Sequence, residues 1–137
     1  MVDEIDDIII SLLKENSRMT YVEIGNKIGI SEGTVRNRIQ SLVNSDVIKR
    51  FTIEVTPSMR VRALVMISVI PNMPTIKISE QVGKLKGIER IYEVTGEYDI
   101  VSVFSSPTIE GINQSIEDIR KIEGVVKTNT TIVLRTL

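Results

Sequence analysis

Residues 20–39 read "TYVEIGNKIGISEGTVRNRI", and this stretch decides the fold of the first half of the chain. Thr20 and Glu23 form a T-x-x-E capping box, the signature of a helix start. The helix after it buries Ile24 and Ile28. Gly25 carries no side chain, so another helix can approach it closely, and Gly29 can take positive φ and end the helix. Ser31 then caps a third helix at once, with Glu32 in its first turn. A capped, glycine-turned pair of this kind is a helix-turn-helix. On the third helix Val35, Ile39, Leu42 and Val43 share one face. At 100° per residue, Gly33, Asn37, Gln40 and Asn44 lie nearly opposite, flanked by Thr34, Arg36 and Ser41. Short polar and amide side chains beside an arginine can hydrogen-bond base edges in a major groove. Arg38 sits nearer the core edge, where a surface ion pair or a phosphate contact suits it better than a base contact.

Working outward, "EIDDIIISLLKEN" before the pair places Ile5, Ile8, Ile9, Leu12 and Leu13 at helical spacing. Asp3 is its expected N-cap, and Asp6 and Asp7 favour the first turn through the helix dipole, on an acidic face read as solvated. After the pair, "VIKRFTIEV" has the alternation of a strand. It is expected to form a wing on which Lys49 and Arg50 either reach phosphates or discourage edge pairing. Net charge over the 137 residues is only -1, so no global positive field advertises nucleic acid. The basic residues Arg36, Arg38, Lys49, Arg50, Arg60 and Arg62 nevertheless gather just after the bend.

Composition removes several chemistries. The chain has no Cys and no His, which excludes disulfides, thiolate sites, the usual general base and the commonest metal ligand. No cofactor is expected. No apolar run approaches the roughly 18 residues of a membrane span, and the acidic start "MVDEIDD" is unlike a signal peptide. A cytoplasmic protein without membrane contact is expected.

"TPSMR" at 56–60 reads as a connector, and the chain beyond it is duplicated. "KLKGIERI" at 84–91 returns as "KIEGVVKT" at 121–128, offset by 37. Each copy is preceded by an apolar strand, a Pro-Thr-Ile and a helical pattern, with Pro74 and Pro107 expected in the first turns. Ile78, Val82 and Leu85 line one helix; Ile109, Ile112, Ile116 and Ile119 line the other. The order is βαβ twice, which interleaves into a four-stranded antiparallel sheet with both helices on one face, the ferredoxin-like arrangement. Ala63, Val65, Ile67 and Val69 alternate with Leu64, Met66 and Ile70, so the first strand is apolar on both sides. The face away from the helices is expected to meet a second copy of the chain. The halves join at "TGEYDI". By residue physics alone Gly96 is a hairpin turn, and Glu97 and Asp99 keep its tip soluble.

Together, "EIDDIIISLLKENSRMTYVEIGNKIGISEGTVRNRIQSLVNSDVIKRF" and the hairpin "VTGEYDIV" within a βαββαβ domain resemble the Lrp/AsnC (leucine-responsive/asparagine, feast/famine) regulators over essentially the whole chain. The resemblance implies an α+β protein: an N-terminal winged helix-turn-helix plus a C-terminal ferredoxin-like (RAM) domain. The expected divisions are 1–50 for DNA binding, 51–61 for wing strand and linker, and 62–137 for effector binding and oligomerisation. It implies a transcription regulator that binds double-stranded DNA as a homodimer, assembling further into tetramers or octamers. DNA contacts are expected from Ser31, Gly33, Thr34, Arg36, Asn37, Arg38, Gln40 and Ser41, with Lys49 and Arg50 on the wing. An amino-acid effector, lysine-like or otherwise polar, is expected between dimers at Thr95, Gly96, Glu97, Tyr98 and Asp99. Gly96 and Glu97 would offer backbone N–H groups to its carboxylate, Asp99 would take its ammonium, and Glu97 would suit a cationic side chain. Thr128 and Thr130 on the last strand are expected to line the same pocket. Members often carry Gly where this chain has Asp46, which can still adopt αL, and near the connector's end, where Met59 and Arg60 stand. Two other readings remain: an effector-binding sensor without DNA binding, and a tetrapyrrole-acting decarboxylase of the same architecture, which the missing histidines weigh against.

Overall fold

In the computed structural model, which describes residues 1–55 and 59–137, the chain divides into two units, Met1–Thr56 and Pro57–Leu137. Part of the expected connector, residues 56–58, lies outside the described residues.

The first unit is three helices. α1 (Glu4–Glu15) starts at Asp3, whose carboxylate accepts the Asp6 N–H at 2.9 Å while Asp6 accepts the Asp3 N–H at 3.1 Å. α2 (Tyr21–Ile28) starts in the same way, with Thr20 N–H donating to Glu23 Oε2 at 2.7 Å. α3 (Glu32–Asn44) follows from the Ser31 cap, whose Oγ accepts the Thr34 N–H at 3.2 Å. Ile9, Ile24 and Val35 are fully buried where the three helices meet, with Ile39 beside them. Burying a side chain of that size contributes about 1.5–3 kcal/mol.

The bend between α2 and α3 depends on two glycines. Gly29 has φ of +77°, and a Cβ on Gly25 would lie 2.5 Å from the Ile30 carbonyl oxygen. Gly25 therefore makes room for the turn itself rather than for another helix. Past α3, Asp46 takes the left-handed conformation expected of it, with φ of +60°. The Leu42 carbonyl accepts the N–H groups of both Val47 and Ile48 at 3.0 Å.

Three expectations need correction here. Ile8 and Val43 lie on the solvent side rather than in the core, because three short helices bury a stripe narrower than their full apolar sets. Asp6 is buried, not solvated. The wing strand expected within 51–55 does not form inside the chain: these residues have no ladder partner, and Phe51, Ile53 and Val55 are 53%, 76% and 66% exposed. A strand exists through its ladder, and the rest of this unit is helical.

The second unit runs β1 (Val61–Val69), α4 (Thr75–Val82), β2 (Ile88–Glu93), β3 (Ile100–Ser106), α5 (Ile109–Arg120), β4 (Val125–Ile132). The strands pair antiparallel in the order β2-β3-β1-β4, the ferredoxin-like topology. On the helix side Ala63, Val65, Ile67, Ile100 and Phe104 pack against Ile78 and Val82 of α4 and Ile112 and Ile119 of α5. The repeat has a structural reason. Gly87 and Gly124 hold equivalent places before β2 and β4, both at positive φ (+87° and +97°), where the chain must turn from helix to strand. Neither proline is inside its helix as expected. Pro74 is itself the N-cap, and Pro107 precedes the N-cap because the Thr108 hydroxyl accepts the Gly111 N–H at 3.1 Å and takes that place. Ile109, at the first position of α5, is 56% exposed.

On the other face of the sheet Leu64 and Met66 of β1 stand in register with Val103 and Val101 of β3. All four are half-buried, and no helix of this unit covers them.

Gly25→Ala should destabilise the helical unit by about 1–3 kcal/mol, because the Ile30 carbonyl has to move to admit the methyl group. Gly33→Ala on α3 adds the same group into open space and should be neutral or stabilising by up to about 1 kcal/mol. Thermal denaturation followed by circular dichroism checks the pair. Equal melting temperatures would remove the steric role of Gly25.

Candidate nucleic-acid interface and hairpin site

The face of α3 opposite Val35, Ile39 and Leu42 is open to solvent along its length. Gly33, Thr34, Asn37, Gln40, Ser41 and Asn44 are all exposed. The contacts they make are local and weak. Gln40 Nε2 donates to Asn44 Oδ1 at 2.9 Å, one turn on. Arg36 pairs with Glu32 on its own helix, and its guanidinium lies 5.5 Å from the centre of the Tyr21 ring at the start of α2. Such i, i+4 pairs contribute about 0.2–0.5 kcal/mol, so these side chains can exchange them for a ligand's groups. The Ser31 and Thr34 hydroxyls hold each other at 2.8 Å as part of the cap. Lys49 and Arg50 are exposed and make no ion pair among the described residues.

Arg38 is different. Its Nη1 lies 2.7 Å from Asp3 Oδ2 and 2.9 Å from Asp6 Oδ1, and its side chain is only 28% exposed. It clamps α3 to the capped start of α1, so the surface ion pair is the reading that fits, not a base contact. The guanidinium, with the Asp6 N–H, holds the Asp3 carboxyl below its ordinary pKa, and the Asp3 and Asp6 carboxylates raise that of Arg38. The acidic start of α1 is thus part of what orients α3. Helical phase places Arg38 at the core edge and Asp6 three residues before Ile9, but which partner each meets depends on how the helices cross.

In the second unit the hairpin between β2 and β3 closes with Val94 N–H donating to the Asp99 carbonyl at 2.9 Å. Gly96 has φ of +121°, and nothing stands within 4 Å of the position a Cβ would take. Asp99 also reaches across to β1. Its N–H donates to the Ile67 carbonyl at 3.0 Å, and its Oδ2 accepts the Val69 N–H at 2.7 Å, beside the register shift between Ser68 and Val69. One carboxylate oxygen therefore fixes the hairpin to the sheet.

Thr128 and Thr130 are not brought to this hairpin. They stand opposite Ile67 and Val65, on the helix side, and Thr128 Oγ1 accepts from Arg120 Nε of α5 at 3.3 Å. Their neighbours on the other face, Lys127 and Asn129, are the β4 residues that reach it. Lys127 Nζ lies 3.4 Å from Glu97 Oε1 and 5.4 Å from the centre of the Tyr98 ring, and Asn129 Nδ2 donates to Tyr98 Oη at 3.1 Å. Tyr98 and Glu97 raise the pKa of the Lys127 ammonium. Nothing in the periodicity points to Tyr21, Lys127 or Asn129. Alternation along β4 separates the Thr128 set from the Lys127 set but does not say which set faces the hairpin.

The AsnC-type helix-turn-helix domain model matches residues 2–43, and the Lrp/AsnC ligand binding domain model matches residues 62–137. The chain belongs to the Lrp/AsnC family. It is a transcription regulator with a helix-turn-helix DNA-binding domain and a ligand-binding domain, and not an enzyme. The HTH-type transcriptional regulator LysM of Sulfurisphaera tokodaii is 46% identical over 134 residues, covering 98% of this chain and 96% of the relative. The protein of the same name from Saccharolobus solfataricus is 44% identical over 98% of this chain and 95% of its own length. Among solved structures, AsnC of E. coli superposes with a TM-score of 0.80 at 24% identity, over 99% of this chain and 94% of that one. A feast or famine regulatory protein of M. tuberculosis, complexed with L-methionine, superposes with a TM-score of 0.87 at 24% identity and the same coverage. These two show the fold. No helix among the described residues is long and apolar enough to cross a membrane.

For the regulator's α1–α3 clamp the sign of the pH effect follows from Asp3. A carboxyl whose folded pKa is lowered stabilises fully above the ordinary aspartate range, near 4, and loses that contribution as pH falls through the folded value. Arg38→Ala should therefore lower the urea midpoint at pH 7, and its deficit against wild type should shrink as pH falls below the ordinary aspartate range. A deficit independent of pH would show that the guanidinium acts through packing alone.

Proposed function

We propose that the regulator binds duplex DNA as a dimer, entering two successive major grooves with the exposed face of α3, and that a free amino acid at the Thr95–Asp99 hairpin alters its assembly and so its DNA occupancy. The observation that carries the first part is the α3 face itself. Asn37, Gln40, Asn44 and Arg36 stand on one side of a helix whose other side is locked into the core. Arg36 suits guanine and the amides suit adenine. Tyr21, beside Arg36, joins the candidate contacts, with the Ser31 end of α3, Thr34 and Ser41 at its flanks and Lys49 and Arg50 for phosphates. Arg38 leaves the list.

Dimerisation is assigned to the uncovered sheet face of Leu64, Met66, Val101 and Val103, since a two-layer domain has no third layer of its own. Two α3 helices then address half-sites about 34 Å apart. The effector reading is supported by the open Gly96 turn and by the family's ligand-binding domain, and a structural neighbour is an L-methionine complex. Asp99 keeps one oxygen for an ammonium, Glu97 and the Tyr98 ring suit a basic or polar side chain, and Thr128 and Thr130 drop out in favour of Asn129, which holds the Tyr98 ring. A cytoplasmic location accompanies this reading.

Arg36→Ala with Gln40→Ala should weaken specific DNA binding at least tenfold, each good base contact being worth about 1–3 kcal/mol, and leave the urea midpoint unchanged. Unaltered footprints would sink the assignment of the reading face. Met66→Lys should turn the dimer into a monomer in light scattering at micromolar concentration, and a variant that stays dimeric would move the interface elsewhere.

Calorimetric titration with each of the free amino acids tests the effector. Heat should be released by basic or polar ones and reduced in Asp99→Asn. Silence from all of them would leave the hairpin a plain turn.

A further inference from the structure

Glu97, Tyr98, Lys127 and Asn129 form one linked group on the sheet face away from the helices. A carboxylate beside an aromatic face is a pair that receives an ammonium on an alkyl stem. Here the pair is already filled. Lys127 Nζ lies 3.4 Å from Glu97 Oε1 and 5.4 Å from the Tyr98 ring centre, and Asn129 steadies the ring by donating to its hydroxyl at 3.1 Å. A lysine side chain of the protein occupies the position that the side chain of a basic effector would need.

We propose that Lys127 is an internal competitor for this cation seat, so that it sets the concentration at which a basic amino acid is sensed. This rests on the reading of the hairpin as the effector site. The contact is suited to displacement. Lys127 stands one step beyond the Met66–Asn129 pair at the end of the proposed dimer face; in the single chain the Lys127 and Glu97 side chains are 57% and 73% exposed, and exposed ion pairs and cation–aromatic contacts are individually weak. Lys127 is also anchored where a competitor must be. On β4 it stands opposite Ser68, next to the shift at Val69 whose N–H is capped by Asp99. The cation seat and the free oxygen of Asp99 therefore border the same end of β1, and an amino acid that puts its α-ammonium at Asp99 directs a basic side chain at Lys127. A neutral amino acid does not need the seat and leaves Lys127 in place. The competitor thus discriminates against the very ligands whose charge matches the seat, and holds the site empty of them until they are abundant.

The test is calorimetry on the full chain with L-lysine and L-methionine as probes. Lys127→Met keeps the stem and removes the charge. It should bind L-lysine about three- to tenfold more tightly than wild type, the range that one exposed ion pair and one exposed cation–aromatic contact sustain, with L-methionine affinity unchanged. Lys127→Arg should behave as wild type, and Glu97→Gln should weaken L-lysine binding in both the wild-type and Lys127→Met backgrounds. Weaker L-lysine binding by Lys127→Met would make Lys127 a ligand contact and overturn the proposal, as would equal binding. If L-methionine binds wild type and Lys127→Met alike while L-lysine binds neither, the effector reading stands and the competitor is refuted. If neither probe binds either protein, the competitor falls together with the effector reading for these ligands.

Discussion

Ala63, Val65 and Ile67 of β1 have no exposure to water, and the second unit is organised by that fact. β1 is one of the two inner strands and lies between β3 and β4. Because side chains alternate across a strand, burying these three against α4 and α5 commits Leu64 and Met66 to the opposite face. The register then carries the choice to β3 and β4. Val101 and Val103 must accompany Met66 and Leu64, and Asn129 and Thr131 must do so on the other side. A two-layer domain with apolar residues on both faces of its central strand has one face left over. The proposed dimer follows from that surplus.

The same alternation governs the hairpin. It places Lys127 and Asn129, rather than Thr128 and Thr130, beside Glu97 and Tyr98. A shift of one residue along β4 would exchange the two sets, replacing an ammonium and an amide with two hydroxyls. The chemistry offered to a ligand depends on the β1–β4 register, which the irregularity between Ser68 and Val69 and its capping by Asp99 help to hold. Asp99 is therefore both a structural tie and a candidate ligand group, one oxygen for each task.

In the helical unit the constraint is steric and electrostatic. The bend is compact because Gly25 lets the Ile30 carbonyl come close, and α3 is oriented because Arg38 bridges to Asp3 and Asp6. The polar face of α3 makes only contacts that a ligand can replace, while its apolar face and Arg38 make the ones that hold it. A helix that reads another molecule needs that division between a fixed side and an uncommitted side.

Much of the molecule was legible in residue order because the interactions concerned are local. The capping box of Thr20 and Glu23, a left-handed conformation open to Asp46, glycines before β2 and β4, and the core stripes of α3, α4 and α5 apart from Val43 and Ile109 are set by neighbours within a few positions, and the 37-residue repeat exposes the βαβ units. The exposed face of α3 follows from helical phase once its buried face is known. What residue order left open depends on partners distant in sequence. Arg38 meets Asp3 and Asp6 across 35 and 32 positions, and Lys127 meets Glu97 across 30. The unpaired 51–55 segment has strand composition but no ladder partner in its own unit. Periodicity says that two faces exist; only the packing of β1, β3 and β4 says which of them Thr128 and Lys127 occupy, because that depends on hydrogen-bond register between strands and not on the pattern within any one of them.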